Sequence, residues 1–520
     1  VSYPRLPVPG PGTARLQEAL LAASFTPEGL RARLGAPADA ALARGESVPA
    51  RRALLGDDDP TAVLARLFLL REPVARGLAG RALPFEAALG EGWLERDGDE
   101  VRATVDVRPY AGEDGRSWWI VCDARPGPAP AAPGAPGAAE PGRDVVLGPG
   151  GASATLAGLT VRRPVGRALD LGTGSGVQAL HATTHARSVT ATDVNPRALR
   201  MAALTLALSG APEAELREGF LFEPISDEQH SEDSGTGEDG NGYGLIVSNP
   251  PFVISPAGLG EGLTYRDGGL AGDALCRRLV QGSAAHLAEG GLCQILANWE
   301  HVAGEDWRER VASWVPPGCD AWIVQREVQD VTEYTELWLR DAGLHRGSPA
   351  AYEAAYGAWL AEFATRGTEA VGFGWIAVRR GGAERPHMLA EDWPHAVAQP
   401  LGEAVWTHFE RQDFLRARDD AALLRARYVL AGDIVQEQIG APGAEDPEHV
   451  VLRRREDMRR ARAMDTVSAG FAGSCDGTLV AGAILDAIAQ LLGEDAVALR
   501  DRTGEWLRPL VEQGFLLPAE

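Results

Sequence analysis

From Asp144 to about Arg380, short apolar strands alternate with helical segments, and this alternation limits the fold more than any other feature of the chain. The strands GRALDLG, SVTATDV, YGLIVSNPPF, GGLCQILANW and DAWIVQREV are separated by amphipathic stretches. The run ends with the helix AAYGAWLAEFATRG and the strand AVGFGWIAVRR. Alternating β and α segments with short strands predict an α/β, Rossmann-like, doubly wound and mostly parallel sheet. In such a sheet, ligands bind beyond the carboxyl ends of the strands.

Three motifs fall at those ends. The first is Asp170-Leu171-Gly172-Thr173-Gly174-Ser175-Gly176, running into the helix VQALHATTH. Glycines let the backbone turn sharply and approach a ligand, while the helix offers unpaired amides and a positive dipole end. A nicotinamide site is the competing reading. The spacing here is GxGxG and not GxGxxG, and the acidic Asp170 precedes the first Gly. That arrangement suits a sulfonium with an amino-acid tail better than a pyrophosphate. The second motif is Asp193, 23 residues after Asp170 at the tip of SVTATD and followed by Val194. A carboxylate there accepts hydrogen bonds from both ribose hydroxyls in dinucleotide and methyl-donor sites alike. Capping of the next helix, NPRALRMAALTLALS, is the bland alternative for Asp193. The third motif, Asn249-Pro250-Pro251-Phe252, closes the strand GLIVS. Two successive prolines can neither continue a ladder nor enter a helix interior, so they fix a rigid extended turn at the reactive edge of the sheet.

With these motifs in this order, the segment from Asp144 to Arg380 resembles the class I S-adenosyl-L-methionine-dependent amino-group methyltransferases with an [N/D]PP[F/Y/W] motif. These include the release-factor glutamine, rRNA guanine and DNA adenine enzymes. The stretch from Tyr265 to Val280 is similar to the segment after the motif in the glutamine enzymes, and Gly151 to Arg163 sits where those families place a cofactor-covering segment. The resemblance implies S-adenosyl-L-methionine as cofactor, held by Asp170, Gly172, Thr173, Gly174, Gly176, Asp193, Val194, Gly219, Phe220 and Asn249. It makes Asn249, Pro250 and Phe252 the catalytic set. The Asn249 side-chain oxygen and the Pro250 carbonyl would accept hydrogen bonds from the target NH2, and the Phe252 ring would stack on the flat acceptor. Such a nitrogen has its lone pair delocalised and attacks poorly, so fixed dipoles and alignment carry the rate. At the third strand end this chain reads Glu218-Gly219-Phe220-Leu221-Phe222, where relatives often have Asp or Ser. Contact with adenine is therefore expected through a backbone amide and a ring face.

The flanks say less. Length implies several domains: an N-terminal helical and wing domain over 1–125, a Pro/Ala/Gly linker over 126–143, the methyltransferase over 144–380, a connector over 381–445 and a winged-helix-like domain over 446–520. A second low-complexity stretch, acidic and Gly-rich, runs from Ser226 to Gly242. All 50 basic residues are Arg, which closes off P-loop and Schiff-base lysine chemistry. A formal charge of −23 opposes attraction to free nucleic acid. The cluster Arg453, Arg454, Arg455, Arg459, Arg460 and Arg462 reads as a solvated helix face, against an RNA or acidic-protein contact. His181 and His185 lack a third ligand and read as helix surface, and Trp299, Trp314, Trp322, Trp338 and Trp375 read as core. Scattered cysteines and the lack of an apolar span or leader point to the cytoplasm, with no membrane partner and no metal. The expected partner is a macromolecule of the translation machinery carrying a protein glutamine or asparagine amide or an rRNA base, and homodimerisation is a further expectation. A secondary-metabolism enzyme acting on a small molecule or peptide is the alternative. A non-catalytic binding module is disfavoured by the intact motifs.

Overall fold

The computed structural model describes residues 6–112, 115–123, 144–230, 242–256, 269–381, 385–442 and 449–519. The expected linker over 126–143 and most of the acidic Gly-rich stretch are outside the described residues. The chain divides into two compact units, Val1–Ala157 with Arg163–Asp392, and Gly158–Arg162 with Trp393–Glu520.

The first unit is built on a sheet of eight strands: β1 Val165–Leu171, β2 Ala186–Asp193, β3 Glu215–Glu218, β4 Tyr243–Ser248, β5 Leu287–Val302, β6 Cys319–Asp330, β7 Thr368–Arg380 and β8 Met388–Asp392. Their spatial order is β8-β6-β7-β5-β4-β1-β2-β3. Pairing is parallel from β3 through β5, and β7 runs antiparallel to both β5 and β6. The expected doubly wound sheet is present, extended past Arg380 by β8, which pairs parallel with β6. Every residue of β5 from Gly291 to Glu300 is buried, as a central strand covered on both faces requires. Helices α1 Val177–Ala182, α2 Pro196–Leu208, α3 Ala274–His286 and α4 Trp307–Ala312 connect the strands. Between β6 and β7 stands a helical pair, α5 Val331–Asp341 and α6 Pro349–Arg366.

The N-terminal segment and the main sheet fall in one compact unit. Short helices between Pro11 and Gly90, a three-stranded sheet and the hairpin of Asp106–Ala111 with Ser117–Cys122 precede the main sheet. Their core, which includes Leu16, Leu20 and Phe68, continues into Ala198, Met201, Leu204 and Leu208 of α2. The hairpin docks on the same helix, Trp119 N donating to Ser209 Oγ (3.0 Å) and Val121 N to Thr205 Oγ1 (3.0 Å). The physical reason lies in the helix itself. PRALRMAALTLAL is apolar nearly all round, so it needs cover on both sides, and the N-terminal helices supply the second.

In the second unit, the expected connector over 381–445 holds the helices Gly402–Arg416 and Asp420–Arg425 and the strand Arg427–Leu430. That strand lies between Asp476–Val480 and Leu516–Ala519 in an antiparallel sheet. The surrounding core holds Tyr428, Phe471, Leu485, Leu510 and Phe515. The Arg-rich stretch is not a helix face. His449–Arg454 and Ala461–Met464 are paired strands, and Arg453 and Arg454 are bound to Glu437 and Asp433. No helix among the described residues is long and apolar enough to cross a membrane.

Trp299 is fully buried in β5. Its Nε1 donates to Gln325 Oε1 (3.0 Å), and Gly374 on the facing strand leaves the room its ring needs, since a Cβ there would sit 2.7 Å from the ring. Trp299→Ala opens a cavity between β5, β6 and β7. The expected cost is about 3–5 kcal/mol, read as a lower denaturant midpoint in equilibrium unfolding.

Candidate active site

The strands β1, β2 and β4 end level with one another. Leu171 pairs with Thr192 on one side and with Ser248 on the other. Motifs far apart in sequence therefore emerge side by side at one edge, where they line a cleft of about 560 Å3. Backbone and side-chain bonds lock the three exits together. Gly172 N and Thr173 N both donate to Thr192 O (2.9 Å), and Ser248 Oγ donates to Leu171 O (2.8 Å).

Of the residues expected at the site, Gly172, Thr173, Gly174, Asp193, Val194, Gly219, Phe220, Asn249, Pro250 and Phe252 line this cleft. Asp170 and Gly176 are set behind it. The Asp170 carboxylate is buried, accepting from Thr173 Oγ1 (2.6 Å) and Ala179 N (2.9 Å). It therefore shapes the turn from beneath instead of facing the cleft. Gly176 has φ +83°, and a Cβ there would sit 2.9 Å from Ala202 Cα, so its role is the close approach of the turn to α2.

Asp193 accepts from Gly174 N through Oδ2 and from Asn195 N through Oδ1, both at 2.9 Å. Burial raises its pKa above the ordinary carboxylate value, partly offset by backbone donors from Asn195, Gly174 and Val194. Capping of α2 falls to Asn195, whose side chain accepts from Arg197 N, so Asp193 is not the cap. Three backbone N–H groups thus point at a carboxylate whose two oxygens offer about four acceptor sites. Gly219 N donates to Asp193 O (3.0 Å), which brings the third strand end to the second.

Asn249 follows β4 directly. Its Oδ1 is buried and has no hydrogen-bond partner among the described residues. Phe252 is partly buried and packs against the core cluster that includes Leu171, Ile246 and Ile295. The backbone after the motif is held by α5, because Tyr334 Oη accepts from Ile254 N (2.9 Å) and from Asn298 Nδ2 (3.1 Å).

Two groups of lining residues were not anticipated. Trp338 and Asp341 reach the cleft from α5, so Trp338 is not simply a core residue as read from its helix. Val145, Val146, Leu147 and Gly148 form a wall from the stretch just after the linker, for which the glycines of DVVLGPG were the available signal. His181 is buried and bonded to Tyr110 Oη (3.0 Å), which corrects its reading as helix surface. Among the described residues, no cluster of His, Cys, Asp or Glu could hold a metal ion.

Residues 150–307 match the methyltransferase small domain. Residues 22–104 and 406–518 match two domains of unknown function (DUF7059 and DUF7782). The chain is 34% identical over 134 residues to the release factor glutamine methyltransferase of Deinococcus radiodurans, covering 24% of this chain and 43% of that protein. It is 33% identical over 152 residues to the ribosomal protein uL3 glutamine methyltransferase of Xanthomonas campestris pv. campestris, covering 27% and 45%. The chain thus spans less than half the length of these curated relatives. Among solved structures, the YcgJ protein of Bacillus subtilis is 13% identical, with 45% of this chain and 99% of that one covered and a TM-score of 0.28. The segment that matches the methyltransferase small domain is thus the one that carries the glycine turn, Asp193 and the Asn249 motif.

Proposed function

We propose that the protein methylates a side-chain amide nitrogen, of glutamine or asparagine, in a protein substrate. The observation that carries this is the buried Asn249 Oδ1, without a partner among the described residues. A buried acceptor left unpaired costs about 1–3 kcal/mol, and a donor NH2 presented in the cleft removes that cost. The cleft fits the cofactor as well. Asp193 offers a carboxylate to the ribose, Val194 and Phe220 offer apolar surface to the adenine, and the turn through Gly174 leaves room for the amino-acid tail.

S-adenosylmethionine supplies an electrophilic methyl group when bound. The protein's part is to bind and align the acceptor. Asn249 Oδ1 and the Pro250 carbonyl would accept from the two N–H groups, which raises electron density on the nitrogen and turns its lone pair towards the methyl group; as the N–CH3 bond forms the S–CH3 bond would break, leaving the thioether, and the nitrogen would release one proton to water. Phe252 holds the amide flat. Fixed dipoles of this kind need no reorganisation during the reaction, and no strong base is required because the methylated, cationic nitrogen is itself acidic.

Electrostatics favour protein over RNA. The charged side chains that line the described cleft are Asp193 and Asp341, both repelling phosphate. The Arg453 and Arg454 guanidinium groups are already bound to carboxylates. The two relatives named above are both glutamine methyltransferases.

The test is transfer of tritiated methyl groups from S-adenosylmethionine into a fractionated lysate. Label is expected in acid-precipitable material that resists ribonuclease and yields to protease, with one added methyl on a glutamine or asparagine by mass spectrometry. Ribonuclease-sensitive label would place the acceptor on RNA, and label confined to the acid-soluble fraction would place it on a small molecule; either sinks the proposal. In the same assay Asn249→Ala is expected to lose on the order of 10²–10³ in rate, with S-adenosylhomocysteine affinity by calorimetry little changed. Asp193→Ala is expected to weaken cofactor binding first.

Asp170 gives a pH prediction. Burial raises its pKa from 3.8 to about 7, against the opposing bonds from Thr173 and Ala179 and with a further push from Asp193. The neutral carboxyl thus favours the folded chain. Its stabilising contribution is full below about pH 4 and is lost as the pH rises through about 7, where folding must bury a charge. Asp170→Asn stays neutral throughout. Its melting temperature relative to wild type is expected to climb between pH 4 and pH 8, by about 2–4 °C for each kcal/mol recovered. Parallel pH curves for the two proteins would show that the buried carboxyl does not titrate in this range.

A further inference from the structure

The stretch from Asp144 to Gly148 contributes Val145, Val146, Leu147 and Gly148 to the cofactor cleft yet belongs to no helix or strand. What fixes it comes from the last strand of the N-terminal hairpin and from the start of α2. Asp123, just after the hairpin, donates its backbone N–H to Val146 O (2.9 Å), and its Oδ2 accepts from Val146 N (2.9 Å). The same carboxylate is gripped by Arg197 of α2, with Nε to Oδ2 at 3.0 Å and Nη2 to Oδ1 at 2.6 Å. Both residues are buried, at 8% and 6% exposure.

The circuit closes on Asp193. Asn195 Oδ1 accepts from Arg197 N, Asn195 Nδ2 donates to Asp144 O (3.1 Å), and Asn195 N donates to Asp193 Oδ1. One chain of bonds therefore runs from the N-terminal module through the cleft wall to the carboxylate expected at the ribose. Contact reinforces it. A Cβ on Gly148 would sit 2.8 Å from Cys122 Sγ and 3.1 Å from Arg108 Cδ, so this wall is pressed against the hairpin with no room for a side chain.

We infer that Asp123 and Arg197 are positioning residues of the cofactor site, and that the N-terminal module forms part of that site by holding the Asp144–Gly148 wall in place. The chemistry sets the direction. A bidentate Arg–carboxylate pair in a dry setting fixes both partners in one plane. The free Asp123 oxygen lone pair then has one place to receive the Val146 amide. Groups that orient ligand-contacting atoms are worth on the order of 10–100-fold in affinity where this has been measured at metal sites.

The experiment titrates S-adenosylhomocysteine into the full-length protein by calorimetry, well below each variant's melting temperature. Replacing a buried ion pair by apolar residues of similar volume is often neutral for stability. Asp123→Leu combined with Arg197→Met is therefore expected to melt close to wild type and to bind at least about tenfold more weakly, since Val146 N–H has lost its acceptor. Asp123→Asn, which keeps an acceptor oxygen, is expected to recover part of that loss. Gly148→Ala leaves the pair intact and pushes the wall off the hairpin, so it too is expected to weaken binding, with recovery when Cys122→Ala makes space. A folded double variant with wild-type affinity overturns the inference. Should the double variant not fold, Gly148→Ala decides, and unchanged affinity there overturns it equally.

Discussion

The level ending of β1, β2 and β4 is the constraint on which the site depends. Parallel strands with an evenly spaced ladder can place three chain exits within one hydrogen-bond layer only if their registers agree, and here Leu171 pairs with both Thr192 and Ser248. A shift of one residue in β4 would turn Asn249 to the other face of the sheet. The bonds across the exits, from Gly172 and Thr173 to Thr192 and from Ser248 to Leu171, hold that register where the ladder itself stops.

Around those exits almost every buried polar group is satisfied by another. Asp170 is held by Thr173 and Ala179, Asp193 by Gly174 and Asn195, and Asp123 by Arg197 and Val146. Against that background the Asn249 oxygen, without a partner among the described residues, is a local exception, and the two prolines that follow it restrict the backbone on which it stands. A fixed, desolvated acceptor is costly to the folded chain and strong towards an incoming donor, because the same low-dielectric surroundings act on both.

The sheet and the cleft-lining motifs were legible because each is written locally: an apolar strand, a turn chemistry and a residue at the strand tip. Asp170 was read correctly as part of the glycine turn, but its burial beneath the turn depends on α1 and Thr173 closing over it, which no spacing announces. The Asp193 ambiguity disappeared once Asn195 took the cap, a choice between neighbours two residues apart that pattern alone does not make. Trp338 has the periodicity of a core residue and meets that need on one side while lining the cleft on the other. The Arg-rich stretch has too few apolar residues to show a period. Its first strand, His449–Arg454, pairs with Ile434–Ile439 and with Ala461–Met464, and a partner outside the stretch is invisible to a local reading.

The N-terminal segment and the main sheet share one helix, and this bears on function. A helix apolar on one side marks a domain surface, whereas α2 is buried on nearly all sides and so belongs equally to the sheet and to the N-terminal helices. Its first turn carries Asn195 and Arg197, the links to Asp193, Asp144 and Asp123. Opening the N-terminal core would therefore expose the inner face of α2 and loosen Asp193 with it. By the same linkage, a ligand that binds only the ordered cleft stabilises the N-terminal helices it never touches, by about 2.7 kcal/mol at a hundredfold excess over its dissociation constant. The N-terminal module and the cleft are thus one cooperative structure, joined through a helix that neither could bury alone.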